Sequence, residues 1–137
     1  MSPTYDRGKR QSLAVIAVKT MTRLTEAYRD ARVELVDDTS RYVIMSDCHR
    51  GDGSKSDEFL KNKNSFTAAM DYYWKNDFTY VEAGDGDELW EHDFKHIIRA
   101  NRAVWEHLLR FHHSGRMIRM WGNHDLDLRE PSYVRRF

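Results

Sequence analysis

Asp47, His49, Asp85, Asn123 and His124 are the residues whose types and spacing could do chemistry together. Each stands just past an apolar run. Residues 41–46 lead into Asp47-Cys48-His49, residues 78–83 into Gly84-Asp85, and residues 117–121 into Gly122-Asn123-His124-Asp125. Carboxylate oxygens, imidazole nitrogens and an amide oxygen are the donors that a divalent metal site uses. Asp47 and His49 are two apart at a strand end, so they are expected to point the same way, with Cys48 turned into packing. Asp85 has two oxygens with which to bridge two ions. Asn123 offers a neutral carbonyl oxygen. His124 follows it directly and would stand just outside the ions as a proton donor. Two ions ~3.5–4 Å apart activate water and stabilise both oxygens of an in-line displacement.

Other polar residues carry weaker alternatives. Arg50 follows a ligand and could hold a phosphate oxygen, against an ordinary salt bridge. Asn123 and His124 are candidate substrate contacts as well. Trp90 and Glu91 could line the substrate mouth, with core packing the default for Trp90. His92 and His96 are four apart on a helix but lack the adjacent Glu of a zinc protease pattern. They read as surface histidines, and His107, His112 and His113 as surface or satisfied helix residues.

The elements that must position these residues follow from periodicity. Residues 1–11, with Pro3 and Gly8, read as a mobile lead. Ser12 could cap a helix running to about Ala31. Leu13, Ile16, Ala17, Thr20, Leu24 and Ala27 form its stripe, expected to pack on the body, with a membrane surface or partner helix as the alternative. Residues 33–36 alternate like an edge strand. Residues 42–45 are continuously apolar, as a strand buried on both faces should be. A helix is expected over 57–76, a strand over 78–83, a long helix over 92–113 stopped by Gly115, and a strand over 117–121. This order predicts a layered α/β fold, a β-sheet with flanking helices. If the sheet is parallel, the three polar tips converge at its carboxyl edge, where ligands bind. Residues 1–32 form an N-terminal extension with an amphipathic helix, and residues 33–137 the domain itself.

The bulk numbers bound the reading. The 137 residues suffice for one modest core. Lys plus Arg equals Asp plus Glu, 22 each, so nucleic-acid binding through a broad basic field is not favoured. One cysteine forms no internal disulfide, which points to a reducing cytoplasm. The apolar run 13–18 is too short to span a membrane.

Asp47-x-His49, Gly84-Asp85-x-x-Glu88 and Gly122-Asn123-His124-Asp125, in this order, resemble the first three motifs of the calcineurin-like metallophosphoesterases. The resemblance covers residues 41–128. It implies the N-terminal half of an α/β/β/α sandwich and a metal-dependent hydrolysis of phosphate esters. Asp47 and His49 would bind the first ion, Asp85 would bridge, Asn123 would bind the second, and His124 would contact the phosphate and protonate the leaving oxygen. Mn²⁺ or Fe suits the nitrogen donor His49 better than Mg²⁺, with Zn²⁺ also open. The partner would be a phosphorylated small molecule or macromolecule. A non-catalytic metal- or phosphate-binding fragment and a nuclease of the same fold are the alternatives.

Two departures accompany the resemblance. Glu88 stands where the family usually has Asp. The family's later metal-binding histidines, ending in Gly-His-x-His, have no counterpart up to Phe137, so the chain is expected to lack the C-terminal half of the fold. With so few donors, the 137-residue chain should bind at most one ion and turn over phosphate esters negligibly with Mn²⁺. Calorimetric titration, with a 4-nitrophenyl phosphate assay on the same sample, checks this. Two tight ions per chain with many turnovers would refute it.

Overall fold

The computed structural model of the chain describes residues 4–136. The chain divides into two compact units, Met1–Asp37 and Asp38–Phe137.

The first unit is helix α1, Thr4–Arg29, and an irregular tail. The helix starts well before Ser12, so residues 4–11 are helical where a lead was expected; residues 1–3 of that lead lie outside the described residues. Gly8 is accommodated inside the helix at a cost of about 1 kcal/mol against Ala. The stripe of Leu13, Ile16 and Leu24 is exposed where a packed face was expected. Residues 33–36 form no strand, and Val33, Leu35 and Val36 are exposed. A four-residue alternation is by itself a weak strand signal. No helix among the described residues is long and apolar enough to cross a membrane.

The second unit is mixed α/β. Strands β1 (Tyr42–Met45), β2 (Thr79–Ala83) and β3 (Met117–Met120) form a sheet of order β1-β2-β3. Both pairs are parallel, with Ile44 opposite Val81 and Val81 opposite Ile118. All three C-terminal tips therefore share one edge. Helix α2 (Lys63–Lys75), preceded by a 3-10 turn at Glu58–Lys61, links β1 to β2. Helices α3 (Phe94–Ala100) and α4 (Arg102–His113) link β2 to β3. A 3-10 turn, Leu126–Arg129, and a short helix α5, Pro131–Val134, close the chain.

The helices form because their apolar residues recur at helical spacing and bury together. Phe66 and Met70 on α2, and Val104, Leu108 and Phe111 on α4, meet Phe59 and Tyr80 in one core. Helices α2 and α4 pack on each other and on β2 and β3, so one face of the sheet is covered. On the other face Val81 is buried, but its flanks are open. Ile44 is 68% exposed, so β1 is an edge strand and not the doubly buried strand its apolar run suggested. Continuous hydrophobicity could not distinguish the two cases.

The expected helix over 92–113 is broken. Asn101, buried and outside helical geometry, separates α3 from α4. Its side-chain amide donates to the Gly51 carbonyl at 2.7 Å and to Ile97 O at 3.1 Å. The break thus ties the crossover to the loop after β1. At the other end of α4, Gly115 takes φ +73°, the left-handed turn that ends the helix as expected.

Beneath the tips lies a buried charge network. Arg50 is fully buried, and its guanidinium bonds both Glu82 oxygens (2.6 and 3.1 Å) and both Asp87 oxygens (2.9 and 3.1 Å). Arg119 reaches Asp87 Oδ2 at 2.7 Å and Asp125 Oδ2 at 3.3 Å. Its Nε lies 3.0 Å from Glu82 Oε2, close enough for an ion pair but off the line of the N–H. The Tyr80 hydroxyl donates to Glu82 Oε1 at 3.0 Å. Burial pushes the pKa of Glu82 up, but the Arg50 charge and hydrogen bonds, with Arg119, outweigh it and hold it at about 2.

A carboxylate depressed from 4.5 to about 2 contributes stability that is fully present above pH 4.5 and lost as pH falls toward 2. Glu82→Gln should therefore destabilise the fold at neutral pH, on the order of 3 kcal/mol, by leaving Arg50 poorly paired. The substitution should also flatten the loss of stability across that acid window. Urea unfolding at pH 7 and circular dichroism during acid titration measure both; equal midpoints and parallel acid curves would contradict the role.

Candidate metal centre

The tips are stitched together before any side chain is considered. The pairing of β1 with β2 continues past both strands. Asp47 N–H donates to Gly84 O (3.2 Å), His49 N–H to Asp85 O (3.0 Å), and Arg50 N–H to Gly86 O (3.0 Å). The third tip joins where Leu89 N–H donates to His124 O at 3.2 Å. Asp125, fully buried, clamps two loops. One oxygen accepts from Gly122 N–H (2.8 Å), the other from Gly86 N–H (3.0 Å).

Asp47, His49 and Asp85 all have positive φ, at 53°, 47° and 51°. Non-glycine residues avoid this region, and its use at three adjacent tip positions marks a geometry held by its surroundings. Asp47 and His49 do converge, but through left-handed turns and not through the strand alternation expected of them. His49 Nε2 lies 3.8 Å from Asp47 Oδ1.

Asp85 packs against the third loop. A Cβ at position 122 would lie 2.1 Å from Asp85 Oδ1, so only glycine admits the carboxylate there. The same oxygen accepts the His124 N–H at 2.8 Å. Asp47, His49 and Asp85 each offer a donor atom, all within 4.8 Å of one another, and form a group that could hold a metal ion. Asn123 sits exposed on the adjoining loop and makes no hydrogen bond among the described residues.

Glu88 is the residue that sequence reasoning undervalued. Its Oε2 lies 2.8 Å from His49 Nδ1. His124 Nδ1 lies 2.8 Å from its Oε1 and 2.7 Å from its Oε2. One carboxylate thus takes the Nδ1 side of both imidazoles, which meet edge to face at 4.5 Å. The Nε2 atom of His49 is left on the side of Asp47, the arrangement in which a carboxylate orients a metal-binding histidine. His49, Glu88 and His124 form a second group of suitable donors that shares His49 with the first. The signal was the turn spacing in Asp85-x-x-Glu88, which returns the carboxylate to the same edge.

The electrostatics follow. Burial pushes Glu88 up, but hydrogen bonds from His124 and His49 outweigh it and hold the carboxylate below its ordinary range. The hydrogen bond to Glu88 raises His124 above 6.5 and favours the imidazolium. His49, Glu88 and His124 open onto a cavity of about 260 Å³ whose far wall holds Asp57, Glu58, Glu91 and His92.

Arg50 is placed elsewhere than expected. It is sealed beneath the tips with its donors bound to Glu82 and Asp87, so it does not reach toward a phosphate. The residue after His49 carries the chain down into the network, which two-residue spacing could not reveal. Cys48 packs against the core as expected, and burial pushes its thiol up to about 11. His92 is less exposed than a surface histidine, with 6% of its side chain accessible and Nδ1 3.5 Å from Asp52. His96 and His113 are exposed. Trp90 is exposed beside the centre, not part of the core.

No protein-family model, curated protein or solved structure matches the chain.

Replacing Glu88 by Gln removes the charge that favours the His124 imidazolium. In the metal-free protein, the His124 titration followed by NMR should move down toward 6.5 in Glu88→Gln. An unchanged midpoint would show that Glu88 does not set this histidine.

Proposed function

We propose that the chain carries the catalytic edge of a metal-dependent phosphoesterase. The observation that carries this reading is the Asp47, His49 and Asp85 donor group at the sheet edge, beside which Glu88 orients the imidazoles of His49 and His124. Asp47, His49 and Asp85 would hold one divalent ion, and Asp85 with Asn123 would offer oxygens to a second. Mn²⁺ or Fe suits this mixture of oxygen and nitrogen donors, and Zn²⁺ is compatible with it. When bound, such ions supply an activated water and positive charge for the phosphate oxygens.

The chain's own residues supply the rest. Glu88 fixes both rings, so His49 presents Nε2 toward Asp47 and Asp85. Glu88 favours the imidazolium form of His124, which borders the cavity and would donate its other N–H proton to the leaving oxygen. Four carboxylates and no Lys or Arg line the cavity among the described residues, so a phosphate anion enters only where cations offset them. The exposure of Ile44 and Met120 on one face of the sheet is compatible with reading it as the first of a two-sheet sandwich. The substrate is then a phosphate ester met in a reducing, cytoplasmic compartment.

Calorimetric titration with Mn²⁺ should detect binding that Asp85→Asn abolishes and His124→Ala retains. Hydrolysis of 4-nitrophenyl phosphate, however slow, should require Mn²⁺ and vanish in Asp85→Asn. In a version of the chain with a complete two-ion site, His124→Ala should lose ~10²–10⁴-fold on alkyl esters and less on the nitrophenyl ester, whose leaving group needs no proton. Retained ion binding in Asp85→Asn, or hydrolysis that survives a chelator, would overturn the proposal.

A further inference from the structure

Helix α1 keeps its apolar side chains at the surface. Leu13 is 65% exposed, Met21 62% and Leu24 59%. From Ser12 onward the helix is two-sided. At about 100° per residue, Ile16, Ala27, Leu13, Leu24, Ala17 and Met21 follow one another around one side, with Thr20 and Tyr28 between them. Arg29, Glu26, Lys19 and Arg23 occupy the opposite side, with Thr22 and one large apolar residue, Val15, among them. The helix also concentrates positive charge. Thr4–Arg29 holds six basic residues and two acidic ones. The chain as a whole is neutral, so the rest of it is net negative.

We propose that α1 is a peripheral anchor that lies flat on an anionic lipid surface, a role independent of the metal centre. Leu13, Ile16, Met21 and Leu24 enter the boundary between headgroups and acyl chains. Lys19, Arg23 and Arg29 stay level with the headgroups, the division of faces that interfacial helices use. The charge decides among occupants. A second copy would set one net positive helix against another. Its seam would also be thin, because the heptad positions between Leu13 and Leu24 hold only Ala17 and Thr20, too small to serve as knobs. An anionic bilayer attracts the same charge, by about fivefold in affinity for each basic residue near its surface. The helix is not apolar enough to cross a bilayer, so it lies in the plane.

Co-sedimentation of the full chain with vesicles of phosphatidylserine and phosphatidylcholine, against phosphatidylcholine alone, tests this. The chain should bind the anionic vesicles, less so as salt rises, and bind the neutral ones far more weakly. Lys19→Gln with Arg23→Gln should weaken binding to the anionic vesicles by roughly 30-fold. Lys61→Gln with Lys75→Gln, both exposed and outside α1, makes the same change in net charge and should leave binding unchanged. Leu13→Glu with Leu24→Glu should abolish binding. No binding to anionic vesicles would overturn the proposal. So would equal weakening by the two charge-removing pairs, since net charge and not α1 would then hold the lipid. Binding that survives Leu13→Glu with Leu24→Glu would remove the apolar face from the role. A dimer that the same pair dissolves, in a chain that ignores vesicles, would give the face to a second copy.

Discussion

The candidate centre depends on two arginines and three carboxylates buried under it. Glu82 is on β2 and Arg119 on β3, while Arg50, Asp87 and Asp125 come from the three loops that follow the strands. Every tip therefore contributes a charge to one cluster. Such a cluster is a poor source of net stability, because desolvation offsets most of the attraction. It is a strong source of position. An arginine fork accepts two carboxylates in one plane, and a tip that slips by one residue leaves a buried charge unpaired. Three carboxylates face two guanidiniums, and the excess negative charge falls on Asp125. The N–H groups of Gly86 and Gly122 take up that excess, so balancing the charge also closes the loops.

The strained backbone above the network follows from this. Asp47, His49 and Asp85 hold left-handed conformations that isolated Asp and His seldom adopt. They persist because the N–H and C=O groups around them are spent on the neighbouring loop and because Arg50 is anchored just beyond His49. Gly122 and Gly86 mark where contact is closest. A side chain at 122 would collide with Asp85, and one at 86 would meet Arg50 and Glu82 at 2.6 Å. Packing precision at the tips and polar satisfaction beneath them are one requirement.

Much of this arrangement was legible in the sequence. Three apolar runs ending in Asp47, Asp85 and Asn123-His124 gave the strands, and the parallel sheet brings their tips to one edge. Periodicity placed helical segments where α2, α3 and α4 stand. The errors lie where tertiary structure overrides local pattern. The break at Asn101 comes from a hydrogen bond to Gly51, fifty residues away in sequence. The exposure of Ile44 reflects an edge position that no local run encodes. Glu88 looked secondary because its partners, His49 and His124, are far away along the chain. Arg50, weighed between a phosphate contact and a surface salt bridge, forms a buried salt bridge instead, because Glu82 and Asp87, which claim it, lie more than thirty residues on.

The fate of Arg50 also bears on chemistry. A phosphate site commonly draws its positive charge from arginine. Here the two arginines nearest the tips, Arg50 and Arg119, are committed to holding the loops, and Trp105 packs over both guanidiniums at 5.7 and 5.5 Å. What remains at the surface is two oriented imidazoles and a set of carboxylates. A surface of this sign disfavours a phosphate dianion, and under the proposed function divalent cations would supply the charge that the arginines do not. Fixed geometry is the condition for this division of labour, because carboxylates a few ångströms apart would otherwise separate by repulsion. The buried arginines counter that tendency from below, and in this fold they act on the ligand only through the loops they hold.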